Sequence, residues 1–211
     1  MTEIPLAQLL EMSAARHSHL CPRQVLGVRM GLAGGAALSL AVPRQDKRLM
    51  AILETDGCFA DGVEVASGCT LGHRTLRVED YGKVAATFVD VTNESAVRIS
   101  PRPEIRQQAF MYTEDEERRY FAQLHAYQVM PTNELLVFQP VRLSKRVAQI
   151  VSRPGVRVNC TECGEEIINE REIQRGEMIL CQGCAGLAYY RVSGESLKFP
   201  IWLAKQPVKK P

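Results

Sequence analysis

Four of the seven cysteines occur as two closely spaced pairs, 160-CTEC-163 and 181-CQGC-184, with 17 residues between them. At this spacing each pair closes a tight turn, and the four thiolates (Cys160, Cys163, Cys181 and Cys184) can surround one zinc ion tetrahedrally. Four sulfur ligands leave no open coordination position, so we expect a structural site. A segment this short buries little apolar surface, and zinc binding and folding should therefore be one equilibrium.

A second group of donor residues lies in 17-HSHLC-21, where His17, His19 and Cys21 alternate along the chain. In an extended segment all three side chains share one side, whereas in a helix only His17 and Cys21 do. In either conformation, at least two donor side chains lie on the same side of the segment. Pro22 suits the first position of a helix, which makes Cys21 its N-cap residue. Unpaired amides at a helix start favour a thiolate, so Cys21 is the best candidate for a reactive thiol.

Two further cysteines, Cys58 and Cys69, flank a short segment within the glycine-rich stretch 56–73. If Asp61 caps a one-turn helix there, the helix start favours an anion beside Cys58. A second metal or redox site then comprises His17, His19, Cys21, Cys58 and Cys69, with outer partners drawn from Asp56, Asp61, Glu64 and His73. Zinc, iron and nickel are all compatible with these donors. The alternative is a hydrogen-bonded histidine at a helix end next to a buried cysteine, with no metal.

The remaining pattern predicts an α+β fold. Helical spacing indicates a helix from Leu6 towards the histidines and a longer one from Pro22. Glycines in the longer helix, at positions 27, 31, 34 and 35, suit either a buried helix or a dimer face. Grouped strands with helices at the ends favour a mixed core of helices and antiparallel sheet. We expect strands over residues 48–55, 75–80, 83–91, 96–100 and 135–143.

Two local signals refine this pattern. The turn residues Asp80-Tyr81-Gly82 predict a hairpin between the second and third strands. Thr113 with Glu116 predicts a capping box at the start of a helix over residues 114–130.

Length and composition predict one core domain with an appended module. The 211 residues are 45% hydrophobic, enough for one full core. We assign residues 1–143 to the core domain, 144–157 to a basic linker that ends near Pro154-Gly155, and 158–211 to the zinc-finger module and tail.

Charge and hydropathy limit the possible partners and the cellular compartment of the protein. The 26 basic and 24 acidic residues nearly cancel, which argues against nucleic acid as the main partner. The first residues lack a secretory pattern, and no run of 18 apolar residues occurs, so we expect a cytoplasmic protein without a membrane span. Paired cysteines suit metal binding in a reducing compartment.

Four stretches resemble known families. HSHLCPRQVLGVRMG (17–31) and GCFADGVEVASGCTLGHRTLRVEDYGKVAATFVD (57–90) are similar to the two blocks of the FmdE family, which is named for a component of molybdenum formylmethanofuran dehydrogenase. The resemblance covers roughly residues 10–140, although Ser18 and Arg23 stand where glycine is usual. CTECGEEI and ILCQGCA resemble treble-clef zinc fingers of the DksA and TraR type.

The FmdE resemblance implies an α+β core, homodimers and a metal near the histidine and cysteine block. It implies an accessory protein, or a metal- or thiol-dependent enzyme, linked to molybdenum formylmethanofuran dehydrogenase or one-carbon metabolism, with a protein partner in that pathway. The alternative is a non-catalytic regulatory protein whose zinc finger contacts a protein or nucleic acid. The residues leave open whether the chain is an enzyme, and they assign neither a substrate nor a general base.

Overall fold

The computed structural model of the protein describes residues 4–113, 116–151 and 153–193. The chain divides into two compact units, Met1–Val151 and Ser152–Pro211. Among the described helices, none combines the length and hydropathy needed to span a bilayer.

The first unit holds seven α-helices and five strands among its described residues. The helices are α1 (Leu6–Ala14), α2 (Pro22–Ala37), α3 (Cys58–Ser67), α4 (Ile105–Gln108), α5 (Arg119–Val129), α6 (Thr132–Leu135) and α7 (Val147–Val151), with a 3-10 turn at Ala109–Tyr112. The strands are β1 (Leu49–Leu53), β2 (Leu76–Val78), β3 (Ala86–Asp90), β4 (Ala96–Pro101) and β5 (Leu136–Val141). The predicted α+β class is confirmed.

The five strands form one sheet in the order β2-β1-β3-β4-β5. All neighbours are antiparallel except β1 and β2, which are parallel, with Ala51 opposite Leu76. The predicted hairpin between β2 and β3 is therefore wrong, because β1 lies between them. A parallel pair needs a crossover connection, and α3 lies in the segment that joins β1 to β2.

Helices α2 and α3 pack with their backbones in direct contact. A Cβ atom on Gly27 would lie 2.3 Å from the carbonyl oxygen of Phe59, and one on Gly62 would lie 2.3 Å from that of Gln24. A Cβ on Gly34 would meet the ring of Phe88 in β3. These glycines serve contacts inside the chain, so α2 is a buried helix.

The sheet packs apolar side chains on both faces. Phe88 belongs to the main core with α2 and α3, whereas Val89 on the other face packs with Met50 and Val147. Val147, at the start of α7, is 3% exposed. Residues 147–151, expected in the linker, thus form a helix of the first unit, because their apolar side chains cover this face.

The predicted capping box does not form. Helix α5 begins at Arg119, and the Thr113 hydroxyl donates to the Ala109 carbonyl instead. The Glu116 carboxylate accepts from the backbone N–H of Arg118, at 2.9 Å. Residues 114–115 of the predicted helix lie outside the described residues.

The second unit contains two short hairpins and one helical turn in its described part. Strands β6 (Arg157–Asn159) and β7 (Glu166–Ile168) pair antiparallel, as do β8 (Ile173–Arg175) and β9 (Met178–Leu180). The turn covers Gly183–Leu187. Its small core comprises Ile167, Leu180 and Ala185 around Cys160. So small a core needs further stabilisation to remain folded.

An ion pair between the exposed Arg48 and the buried Asp90 connects the start of β1 to the end of β3. Asp90, 1% exposed, accepts hydrogen bonds from the Arg48 guanidinium at 2.8 and 3.1 Å. It also accepts from the Thr92 backbone N–H at 3.0 Å and the Thr92 hydroxyl at 2.7 Å. The Arg48 hydrogen bonds, and then those of Thr92, hold the pKa of Asp90 well below its usual range.

Asp90→Asn should destabilise the first unit by about 2 kcal/mol at pH 7, because Arg48 and Thr92 lose a charged acceptor. A lowered pKa in the folded state means that the stabilisation is present above the unfolded pKa of about 3.9 and is lost as pH falls towards the folded value. Urea unfolding at pH 7 and at lower pH should therefore show the wild type and the variant converging in acid.

Glu79→Gln is the matched control, since the Glu79 side chain is exposed and forms no hydrogen bond or ion pair with a described residue. It should leave the free energy of unfolding unchanged. If Asp90→Asn and Glu79→Gln behave alike at pH 7, the Arg48 pair does not stabilise the fold.

Candidate metal centres

The four paired cysteines converge in the second unit. Cys160 and Cys163 lie between β6 and β7, and Cys181 and Cys184 follow β9. Their sulfur atoms all lie within 4.8 Å of one another, with 3.9 Å between those of Cys163 and Cys181. A tetrahedral zinc with Zn–S bonds of about 2.3 Å places its sulfurs roughly 3.8 Å apart. The donor set fits a metal such as zinc, and among the described residues it is the only group of three or more donors this close.

Backbone amides donate hydrogen bonds to two of these sulfurs, which favours negative charge on them. The N–H of Cys181 donates to the Cys160 sulfur, and that of Cys184 donates to the Cys181 sulfur, both at 3.3 Å. Amide hydrogen bonds from Cys163 and Cys181 lower the pKa of Cys160 to about 6. The pKa of Cys184 is instead raised, chiefly by Cys181. A cation would favour the thiolate at all four positions.

The second predicted site depends on how the chain enters α2. Helix α1 ends at Ala14, residues 17–19 form a bend, and Cys21 has an extended backbone as the N-cap of α2. The Gln24 side chain accepts from the Cys21 N–H and donates to the Ser13 carbonyl, both at 2.8 Å. Gln24 thereby fixes the end of α1 against the start of α2.

Helix α3 contributes both a thiol and a carboxylate. It is ten residues long and begins at Cys58, with Gly57 at the N-cap and a positive φ of +71°. The expectation that Asp61 caps a one-turn helix is therefore wrong, because Asp61 lies within the first turn of this longer helix. The Asp61 carboxylate lies 2.8 Å from Nδ1 of His17, and Nε2 of His17 lies 3.4 Å from the Cys58 sulfur.

The two thiols of this region also influence each other. The pKa of Cys58 is raised first by burial and then by the neighbouring Cys21. Cys21 is 8% exposed, whereas Cys58 is half-buried, so Cys58 is the more accessible thiol. We name His17, Cys21 and Cys58, with Asp61 behind His17, the N-terminal centre.

Tyr120 on α5 adjoins this centre, although its sequence context gave no signal for it. Its hydroxyl donates to the Leu20 carbonyl at 3.2 Å. Burial, followed by the neighbouring Cys21 and Cys58, raises the pKa of Tyr120.

Two predicted donors are not brought into the N-terminal centre. Cys69, 1% exposed, donates to the Leu49 carbonyl at 3.4 Å. It follows the end of α3 while Cys58 begins it, so the helix separates them by about 15 Å. His19 is exposed, with Nδ1 at 3.1 Å from the Ser18 hydroxyl.

Of the residues predicted as outer partners of the second site, only some contact its donors. Asp61 contacts His17, whereas Glu64 pairs with Arg16. Asp56 and His73 are exposed.

An α+β core followed by a four-cysteine unit is the architecture of a metal-binding protein. Residues 16–137 match the family described as "FmdE, Molybdenum formylmethanofuran dehydrogenase operon". This match covers more than half of the 211 residues, and the chain belongs to the FmdE family.

A solved structure and a curated protein are similar over most of the chain. The crystal structure of an FmdE-like protein of the tungsten formylmethanofuran dehydrogenase type, from Syntrophus aciditrophicus, has a TM-score of 0.56 and 21% identity, covering 90% of this chain and 100% of that one. At this identity the likeness concerns the fold. A probable S-adenosyl-L-methionine-binding protein of Archaeoglobus fulgidus is 29% identical over 210 residues, covering 91% of this chain. The chain spans 56% of that relative's length.

Proposed function

We propose that this FmdE-family chain holds two metal ions: a structural zinc at the four cysteines and a second cation at the N-terminal centre. Its role would be that of an accessory protein, or a metal- or thiol-dependent enzyme, linked to formylmethanofuran dehydrogenase or one-carbon metabolism. The observation that carries the second site is the chain of contacts from Asp61 through His17 to Cys58.

His17 has the surroundings of a metal-binding histidine, with a carboxylate at one ring nitrogen and a possible metal ligand at the other. A carboxylate at Nδ1 orients the imidazole and leaves Nε2 as the ligand atom, which is the usual arrangement behind protein-bound metals. Nε2 is the atom that lies beside the Cys58 sulfur, and Cys21 is near enough to raise the pKa of the same thiol. One nitrogen and two sulfurs suit zinc, iron or nickel.

Three protein ligands would leave one coordination position for water or a substrate. A cation bound there would act as a Lewis acid. The three donor side chains do not yet surround a single point. Binding of a cation would therefore require them to rotate towards it. Movement of the helices themselves is opposed by the backbone contacts at Gly27 and Gly62. Asp61 would hold the His17 ring, and Gln24 would hold the Cys21 backbone.

A metal count tests the second site. Protein purified without chelator should contain two metal equivalents per chain by inductively coupled plasma mass spectrometry. The double variant Cys21→Ala/Cys58→Ala should contain one, with an unchanged circular dichroism spectrum. Asp61→Asn should weaken the second metal by about 10- to 100-fold, because the histidine loses its orienting carboxylate.

Cys69→Ala is the matched control, since it removes a buried thiol outside the N-terminal centre. It should keep both equivalents. A wild-type count of one that disappears in Cys160→Ser would leave only the four-cysteine site and refute the second.

The electrostatic interaction of Cys21 with Cys58, which raises the pKa of Cys58, also supports a second candidate, a redox-active thiol pair that needs no metal. That candidate predicts a wild-type count of one and the loss of two thiols outside the four-cysteine site on treatment with diamide. Retention of those thiols would exclude it.

A further inference from the structure

A cavity of about 620 Å³ lies against the first residues of α2 and α5 and against β4. Among the described residues, six basic side chains line it and no acidic one does: Arg23, Lys83, Arg98, Arg102, Arg106 and Arg119. The net charge of the whole chain is only +2, so this concentration of positive charge is local. Its volume is within the range of small-molecule sites.

Two of the six cations already have partners inside the protein. Arg98 forms a bidentate ion pair with Glu54 at 2.5 and 2.7 Å, and Arg102 donates to the Asn133 carbonyl at 2.8 Å. The other four form no ion pair with any residue that the structure describes. Like charges gathered in one concave space repel one another and attract an anion.

The remaining wall supplies a neutral donor and apolar surface. The buried Tyr127 lines the cavity, and burial raises its pKa to about 12, although the Arg106 charge opposes this. The phenol is therefore protonated at neutral pH and can donate a hydrogen bond to an anion. Leu26 and Ile105 provide buried apolar contacts for the body of an organic ligand.

We infer that this cavity binds a small organic anion that carries two or more phosphate or carboxylate groups. Arginine is suited to both groups, because its planar donors match their oxygens in pairs. A neighbouring cavity of about 430 Å³ shares Arg106 and Arg119 but is also lined by Glu104, so the larger cavity is the better place for the anionic groups.

Two residues that line the cavity are close in sequence to residues at the N-terminal centre. Arg23 lines the cavity two residues after Cys21, and Arg119 lines it next to Tyr120, whose hydroxyl contacts Leu20. The binding of the anion itself does not require the second metal.

Isothermal titration calorimetry of the full chain tests the inference with tripolyphosphate and citrate as probes. We expect saturable binding of at least one, weakened by rising KCl. Arg106→Gln/Arg119→Gln should weaken it at least tenfold, because two charged hydrogen-bond donors are lost. Binding of tripolyphosphate alone would identify a phosphate ligand, and binding of citrate alone a carboxylate ligand.

Arg118→Gln is the matched control. Arg118 neighbours Arg119 but pairs with Glu116 and does not line the cavity, so this variant should bind like the wild type. No saturable heat with either probe, or equal weakening in the control and the double variant, would overturn the inference. The readout is anion affinity, so the metal count can fail while this test succeeds, and the reverse.

Discussion

Gly62→Ala is expected to destabilise the first unit by at least about 3 kcal/mol, the upper end of the usual effect of overpacking a core. The added methyl group would lie 2.3 Å from the Gln24 carbonyl oxygen and 2.8 Å from the Val28 nitrogen. Both are backbone atoms of α2, so no side chain can rotate away. The two helices would have to separate, which also exposes their buried apolar side chains.

Gly72→Ala provides the control, since a Cβ there meets no atom within 4 Å. Thermal and urea unfolding should show a large shift for Gly62→Ala and almost none for Gly72→Ala. Equal stability of the two variants would mean that the backbones of α2 and α3 are not in direct contact.

The same substitution should also disrupt the N-terminal centre. Cys21 precedes α2 and Cys58 begins α3, so separating the helices moves the two thiols apart. Any Gly62→Ala protein that remains folded should bind the second metal more weakly than the wild type.

Cys160→Ser is expected to abolish zinc binding at the four-cysteine site and to unfold the second unit. The apolar cluster there is small, and a structural zinc supplies folding free energy directly. The first unit has its own extensive core and should keep its structure. In a ¹H–¹⁵N correlation spectrum, the dispersed signals of residues 153–193 should collapse while those of residues 4–151 persist.

Glu162→Gln tests whether this effect belongs to the sulfur ligand, because Glu162 is exposed between the two cysteines of the first pair. It should retain both the metal and the dispersed signals. A folded, metal-free second unit in Cys160→Ser would show that zinc is not what holds it together.

Local sequence signals identified the elements better than their arrangement. Pro22 and Cys21 marked the start of α2 correctly, because proline at a first helical position depends only on neighbouring residues. The strand order could not be obtained in this way. The turn at Asp80–Gly82 has the residues of a hairpin, yet β1 separates the strands on either side of it.

Helix α3 shows how tertiary contacts override intrinsic preference. Because glycine lowers helix propensity, the glycines at positions 57, 62 and 68 led to the prediction of at most one helical turn where the structure has a ten-residue helix. In the structure, Gly62 allows the close approach of α2, and Gly57 and Gly68 occupy the two ends with positive φ angles, which glycine adopts most readily. Each glycine that weakened the prediction is thus required by the fold.

The candidate sites were predictable to different extents. The four-cysteine group follows from spacing alone, because its ligands come from two short local turns. The N-terminal centre combines His17 with residues of α3 more than 40 positions away. From residue types alone, Cys58 and Cys69 were equally good candidate ligands for the N-terminal centre. Only the length of α3 shows that Cys58 belongs to the centre and Cys69 does not.

The outer strands of the sheet affect how two copies of the chain could associate. β2 has only three residues, and β5 carries a proline at position 140, which has no amide hydrogen. Short or proline-containing borders discourage another polypeptide from continuing a sheet. A homodimer of the kind implied by the family resemblance should therefore join through helical or loop surfaces, and should add no intermolecular β-ladder to its amide exchange pattern.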